Sequence, residues 1–154
     1  MAQKVFSIEF TDVTVNAGAT KTVAAVITPT DQGVALLGVN VGGDSTSGSV
    51  KPTDVKVFVG ANDGSATSKT PRPLRPGLGN LRSTANVNYT TEPTYDTAEP
   101  LFEGTIHPQV PREWVFPPGS GREIWTENQK IIGLVLTNKA AAAYDFSGSL
   151  LLVE

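Results

Sequence analysis

The sequence predicts an all-β protein: an antiparallel β-sandwich, jelly-roll-like, in which residues 1–154 form one domain. Three observations lead there. Apolar residues recur at every second position in run after run. Gly, Pro, Asp and Asn cluster between the runs. Helical periodicity is almost absent.

The runs follow in order. In "VFSIEF" Phe6, Ile8 and Phe10 share one face, against Ser7 and Glu9. Val23, Ala25 and Ile27 align in "TVAAVIT", and Leu37, Val39 and Val41 align in "ALLGVNV". Val55, Val57 and Val59 oppose Lys56 and Phe58 in the next run. Ala85, Val87 and Tyr89 face away from Asn86 and Asn88, and Phe102 and Ile106 oppose Glu103, Thr105 and His107. Period two with β-branched and aromatic residues marks half-buried strands. The intervening "NAGAT", "TPTDQG", "GGDSTSG", "KPTD", "GANDGS", "PPGSG" and "DFSGS" supply positive φ, fixed φ and side-chain-to-backbone bonds. The pattern gives roughly eight to ten strands. "NKAAAAY" is the one helical candidate; it is too short to stand alone and is expected to be a loop between strands. No internal repeat is present, which argues against a propeller or β-helix.

Two segments break the alternation. "IIGLVLT" (131–137) and "LLLV" (150–153) are apolar on both faces. Such strands are covered on both sides, either by the core and the chain's own loops or by another subunit. The second departure is the stretch 61–84, "ANDGSATSKTPRPLRPGLGNLRST", read as a long Pro-rich loop. Connections this long are functional or unstructured in compact domains. Pro71, Pro73 and Pro76 favour extended geometry, which lowers the entropy lost on docking. Lys69, Arg72, Arg75 and Arg82 make this stretch the candidate partner-binding arm, directed at acidic surfaces. No aromatic is interleaved for base stacking, so direct nucleic-acid contact is not expected.

Composition narrows the classes of function. Charged residues are 18% of the chain, below the ~25% usual for soluble domains, which suggests a surface partly covered by partners. A net charge of −3 gives the whole molecule no electrostatic case for nucleic acid or anionic membrane. Without cysteine there are no disulfides, thiolate zinc sites or cysteine nucleophiles. "MAQKVFSIEF" has neither the apolar core nor the cleavage site of a signal peptide, and no run reaches the ~20 apolar residues of a membrane span. A soluble protein made in the cytoplasm, without membrane partners, is expected.

Catalytic patterns are missing. His107 is the only histidine. Glu103, four residues back along a strand at ~3.3 Å per residue, is too distant to pair with it, so an exposed structural role is expected. Glu99, Glu103, Glu113, Glu123 and Glu127 could supply a glycosidase pair in number, but no spacing brings two together. "GANDGS" reads as a turn rather than a calcium loop. No enzyme activity, cofactor or metal is expected. Trp114 and Phe116, at i and i+2, are expected to point into the core; Trp125, opposite in parity to Ile124, is expected to be exposed. An exposed Trp on a β-sandwich can stack sugars, so a carbohydrate-binding module of receptor-binding or fibre type is the alternative.

The strand "KVFSIEF", the Gly/Thr/Asn-rich strands, and the block "HPQVPREWVFPPGSGREIWTENQKIIGLVLTN" closed by "YDFSGSLLLVE" resemble small virion proteins of tailed bacteriophages. The likeness is to capsid decoration (cement) or auxiliary head proteins. It implies a non-enzymatic structural protein on the outside of the virion, bound to the major capsid protein and stabilising the shell. It also implies a homotrimer at threefold positions. Coat and head–tail joining roles are the neighbouring readings.

Overall fold

The computed structural model describes residues 3–44, 51–75, 77 and 79–154. Most of the expected turn "GGDSTSG", together with Pro76 and Leu78 of the Pro-rich stretch, lies outside them. The strands are β1 (Val5–Val15), β2 (Thr20–Ile27), β3 (Val34–Gly43), β4 (Thr53–Asn62), β5 (Ser65–Lys69), β6 (Arg72–Pro73) and β7 (Thr84–Thr91). They continue as β8 (Thr94–Tyr95), β9 (Phe102–Ile106), β10 (Arg112–Val115), β11 (Ile124–Thr126), β12 (Ile131–Asn138) and β13 (Tyr144–Val153). All pairings are antiparallel.

The pairing explains the architecture. β1 pairs β13, β2 pairs β12, β3 pairs β10 and β11, and β4 pairs β9. These are the four rungs of one long hairpin. Rolling the hairpin up adds β13–β3 and β12–β4. The result is the jelly roll: one sheet ordered β10–β3–β13–β1–β6 with β11 also on β3, and another ordered β5–β7–β2–β12–β4–β8 with β9 also on β4. The inner faces form one core. Phe6, Ile8, Phe10, Leu36, Val39, Val41, Leu150 and Leu152 come from the first sheet; Ala24, Val26, Val55, Val57, Ile132, Leu134 and Leu136 come from the second.

Two bulges reset the expected alternation. Opposite Leu134/Val135 the register of β2 skips Val23, so Ala24 and Val26 face the core and Ala25 does not. Opposite Leu151/Leu152 it skips Leu37, so Leu36 faces inward with Val39 and Leu37 faces outward. In β7 Asn88 has φ 55°, and Tyr89, expected beside Ala85 and Val87, instead bonds Asp63 together with Asn86. The alanine run is a connection, as expected. Asn138 Nδ2 donates to Val15 O and Ala142 O at 2.9 Å each, and its Oδ1 accepts the Ala140 N–H.

The stretch 61–84 is less irregular than its composition suggests. β5 extends the second sheet through β7, and β6 extends the first through β1. Its end is pinned by the last residue. Glu154 accepts Arg82 N at 2.9 Å, Ser83 N at 2.9 Å and Ser83 Oγ at 2.6 Å, with Lys4 Nζ at 3.7 Å.

Candidate interaction face

The two outer faces differ. The middle of the second sheet's outer face is covered by the chain itself. Between β7 and β8 the chain crosses β2 and β12 as a strap. Glu92 accepts Thr22 N through both carboxylate oxygens (2.9 and 3.0 Å) and also the Thr22 hydroxyl. Tyr95 OH lies 2.7 Å from Thr22 Oγ1, and its ring stacks on Phe58 at 5.0 Å. The same hydroxyl sits 2.1 Å from where a Cβ on Gly133 would stand. Burial pushes the hydroxyl pKa of Tyr95 well above its ordinary value; burial, with Asp63 beside it, does the same to Tyr89. Ile131 and Val135 are therefore buried without a partner chain. For "IIGLVLT" the choice left open falls to self-coverage.

On the first sheet's outer face Ala35, Leu37 and Val153 are buried, Val5 and Leu151 half-buried, and only the margins carry exposed apolar side chains. Register places the sheet's outward side chains in rows across the strands. One row runs Trp125, Ala35, Val153, Val5, with Leu74 N–H bonded to Val5 O at its end. The next runs Val115, Gly38, Leu151, Ser7, Arg72, with the bulged Leu37 between the two rows. A third is polar: Glu113, Asn40, Ser149, Glu9. Five strands at ~4.8 Å spacing make the rows about 19 Å long. At their margins Trp125 is 59% exposed, Val115 63% and Leu74 46%. Ala35, Leu37, Val5, Leu151 and Val153 form a small apolar cluster between them. Large apolar side chains exposed at these margins are the candidate contacts of an interaction face. Trp125 also stands over the sheet's edge, beside a shallow cleft of about 280 Å³ lined by Val59, Asp96, Glu127 and Lys130.

The structure divides the basic arm. Lys69 is exposed at the end of β5, on the second sheet. Arg72 is on β6, at the margin of the first sheet's outer face, and pairs Glu9 at 3.4 Å. Arg75 is exposed just beyond it. Arg82 pairs Asp31 of its own chain. Arg72 and Trp125 thus mark opposite margins of one face, a relation hidden in the sequence.

Of the other candidates, Trp114 packs on Phe102 at 5.3 Å and Phe116 on Phe102 at 5.2 Å, both facing the core as expected. His107 is half-buried rather than exposed: Nδ1 accepts Gln109 N at 3.2 Å and its carbonyl accepts Val110 N, so it shapes the turn after β9. Glu103 pairs Lys56 at 3.4 Å. Glu123 closes the "PPGSG" turn by accepting Gly119 N at 2.9 Å, and backbone N–H groups hold its carboxyl below the ordinary range. Asp63 brackets the turn in "GANDGS", accepting Gly64 N, Asn86 Nδ2 and Tyr89 OH. Among the described residues no group of three or more His, Cys, Asp or Glu is placed to hold a metal ion. Nor, among the described residues, is any helix long and apolar enough to cross a membrane.

No family model matches the chain, and no curated protein matches it. Among solved structures it is similar to the D431N mutant VP2 protein of infectious bursal disease virus in derived T=1 particles. Identity is 13%, over 97% of this chain and 40% of that one, with a TM-score of 0.23. The chain therefore spans well under half the length of that protein, and a likeness of this size carries no argument about function.

Proposed function

We propose that this is a non-enzymatic assembly protein of a virion, attached to the outside of a phage capsid and stabilising it. The exposed apolar margins of the first sheet's outer face carry the reading. Large apolar side chains left exposed at both margins of one sheet, Trp125 and Val115 on one side and Leu74 on the other, are suited to protein contact rather than chemistry. The jelly roll, an architecture that capsid domains use, supports it. Fold alone does not assign function.

In this reading the basic stretch meets the major capsid protein. Arg72 and Arg75 stand exposed at one margin and suit bidentate pairing with coat carboxylates. Several weak contacts in a homo-oligomer add through effective concentration, and binding only the assembled shell stabilises it. The homotrimer implied by the resemblance would place three copies at a threefold position of the shell.

Purified protein added to its cognate particles should co-sediment and raise their resistance to heat and low salt. The double variant Arg72→Ala, Arg75→Ala should stay folded by circular dichroism yet attach less well, most of all at low ionic strength, where charge contributes most. No attachment by the unmodified protein defeats the reading. An unchanged salt slope in the double variant removes the arginines from it. Exposed Trp125 keeps carbohydrate binding as the second reading, and glycan binding lost on Trp125→Ala would decide for it.

A further inference from the structure

We infer that the cleft beside Trp125 binds one ring of a neutral sugar, stacked on the indole, with its hydroxyls held by Asp96, Lys130 and Glu127. This rests on the carbohydrate reading and gives it a site and a class of sugar. It is independent of capsid attachment.

The cleft lies where the two sheets meet. Val59 comes from β4, Asp96 from the strap just after β8, Trp125 from β11, and Glu127 and Lys130 from the turn between β11 and β12. Its volume, about 280 Å³, lies just under the ~300–1,000 Å³ of sites for drug-sized ligands, which suits a single ring. A pyranose has an apolar face of C–H groups and a rim of hydroxyls, each both donor and acceptor. The cleft offers the complement. Trp125 supplies a broad apolar ring in water, and Val59 is half-buried beneath. Lys130 Nζ pairs Asp96 Oδ2 at 2.8 Å, so a donor and an acceptor stand side by side. An ammonium has three donors and a carboxylate about four acceptor positions, so one ion pair leaves capacity for neighbouring hydroxyls. Exposed Glu127 adds a second acceptor.

Charge selects among ligands. Asp96 and Glu127 oppose an anion, whether an acidic sugar or a nucleotide phosphate. Lys130 opposes a cationic side chain. An apolar side chain would strip water from the ion pair and return no hydrogen bonds. Hydroxyls replace the water they displace.

The site is also assembled before any ligand arrives, which lowers the cost of binding. Thr28 holds the turn: its N–H donates to Lys130 O at 2.8 Å, and its hydroxyl accepts Lys130 N at 2.8 Å and faces Glu127 O at 3.0 Å. Gln129 N donates to Pro29 O at 3.1 Å, and Asn128 Nδ2 to Thr30 O at 2.6 Å. Asp96 N donates to Val59 O at 2.9 Å, and Trp125 is in register with Ala35.

NMR titration of the full chain tests this with methyl β-D-glucopyranoside, methyl β-D-galactopyranoside and methyl α-D-mannopyranoside. At least one should bind with a Kd of about 1–10 mM. It should shift the Trp125 indole and the Glu127 and Lys130 amides, and leave the indole of core residue Trp114 in place. Glucuronic acid and glucosamine should bind at least about tenfold more weakly. Trp125→Ala and Lys130→Met should each weaken binding at least about tenfold. Val115→Ala, exposed at the same margin but outside the cleft, should change nothing. Glucuronic acid binding as tightly as the neutral sugars overturns the proposal. So does sugar binding that survives Trp125→Ala, although carbohydrate binding then stands at another site. No shift with any of the three sugars also overturns it, and an array of larger glycans that stays empty then ends the carbohydrate reading with it. If no sugar binds and Trp125→Ala abolishes particle attachment, the cleft belongs to the coat protein and the proposal falls.

Discussion

Gly133 shows how one residue decides which face of the molecule carries the strap. It sits mid-strand in β12, where glycine is otherwise unfavourable, and its missing Cβ is what lets Tyr95 lie across the sheet. A methyl group there would meet the Tyr95 hydroxyl and ring, which stack on Phe58 and bond Thr22. Gly133→Ala should therefore displace Tyr95 and cost about 1–3 kcal/mol, in the range of overpacking. Chemical denaturation measures this, and a change within about 0.5 kcal/mol, the range of inert surface sites, would mean that the strap does not depend on this contact. Nothing in "IIGLVLT" announces this pairing, because Gly133 and Tyr95 lie 38 positions apart. Trp125 was legible by contrast: its parity against Ile124 follows from local strand geometry alone.

At the scale of elements, the strands were readable because each buries one face, and that requirement is written locally as period two. The parity changes at Val23 and Leu37 were not, since a bulge is fixed by register with a partner strand more than a hundred residues away. The basic stretch was read as one loop because its prolines and glycines are turn residues. Backbone pairing to β7 and β1 nevertheless gives it two short strands. Its far end depends on Glu154. Burial alone would raise that carboxyl. The bonds from Ser83 and Arg82 and the charge of Lys4 outweigh burial and hold it below the ordinary range. With the folded value below the unfolded one, the ionised group stabilises the fold above the unfolded value, and that contribution is lost as pH falls through the folded value. Glu154→Gln should lower stability at neutral pH by about 1–2 kcal/mol, as expected for bonds to a charged acceptor that is partly replaced. It should also flatten the loss of stability on acidification below the ordinary carboxylate range. An unchanged acid limb in a pH series of denaturation curves would show that Glu154 is not the group responsible.

The whole molecule is a jelly roll whose second sheet carries a strap and whose first sheet exposes apolar side chains at its margins. This face could not be read along the chain, because it collects residues 5, 35, 125 and 153 from four separate strands and residue 74 from just beyond β6. Low charge content was the one global feature behind the expectation of a surface that partners cover. Hydroxyl-radical footprinting across a dilution series tests this asymmetry most directly, with the isolated protein and the protein on its particles read side by side. At high dilution Trp125, Val115 and Leu74 should be modified while Tyr89 is spared. As the chains associate, all three should become protected together, and Val110 and Leu101 should remain as reactive as before. Equal modification of Trp125 and Val115 at every concentration and on the particle would contradict the account, since it would leave these exposed margins with nothing to cover them.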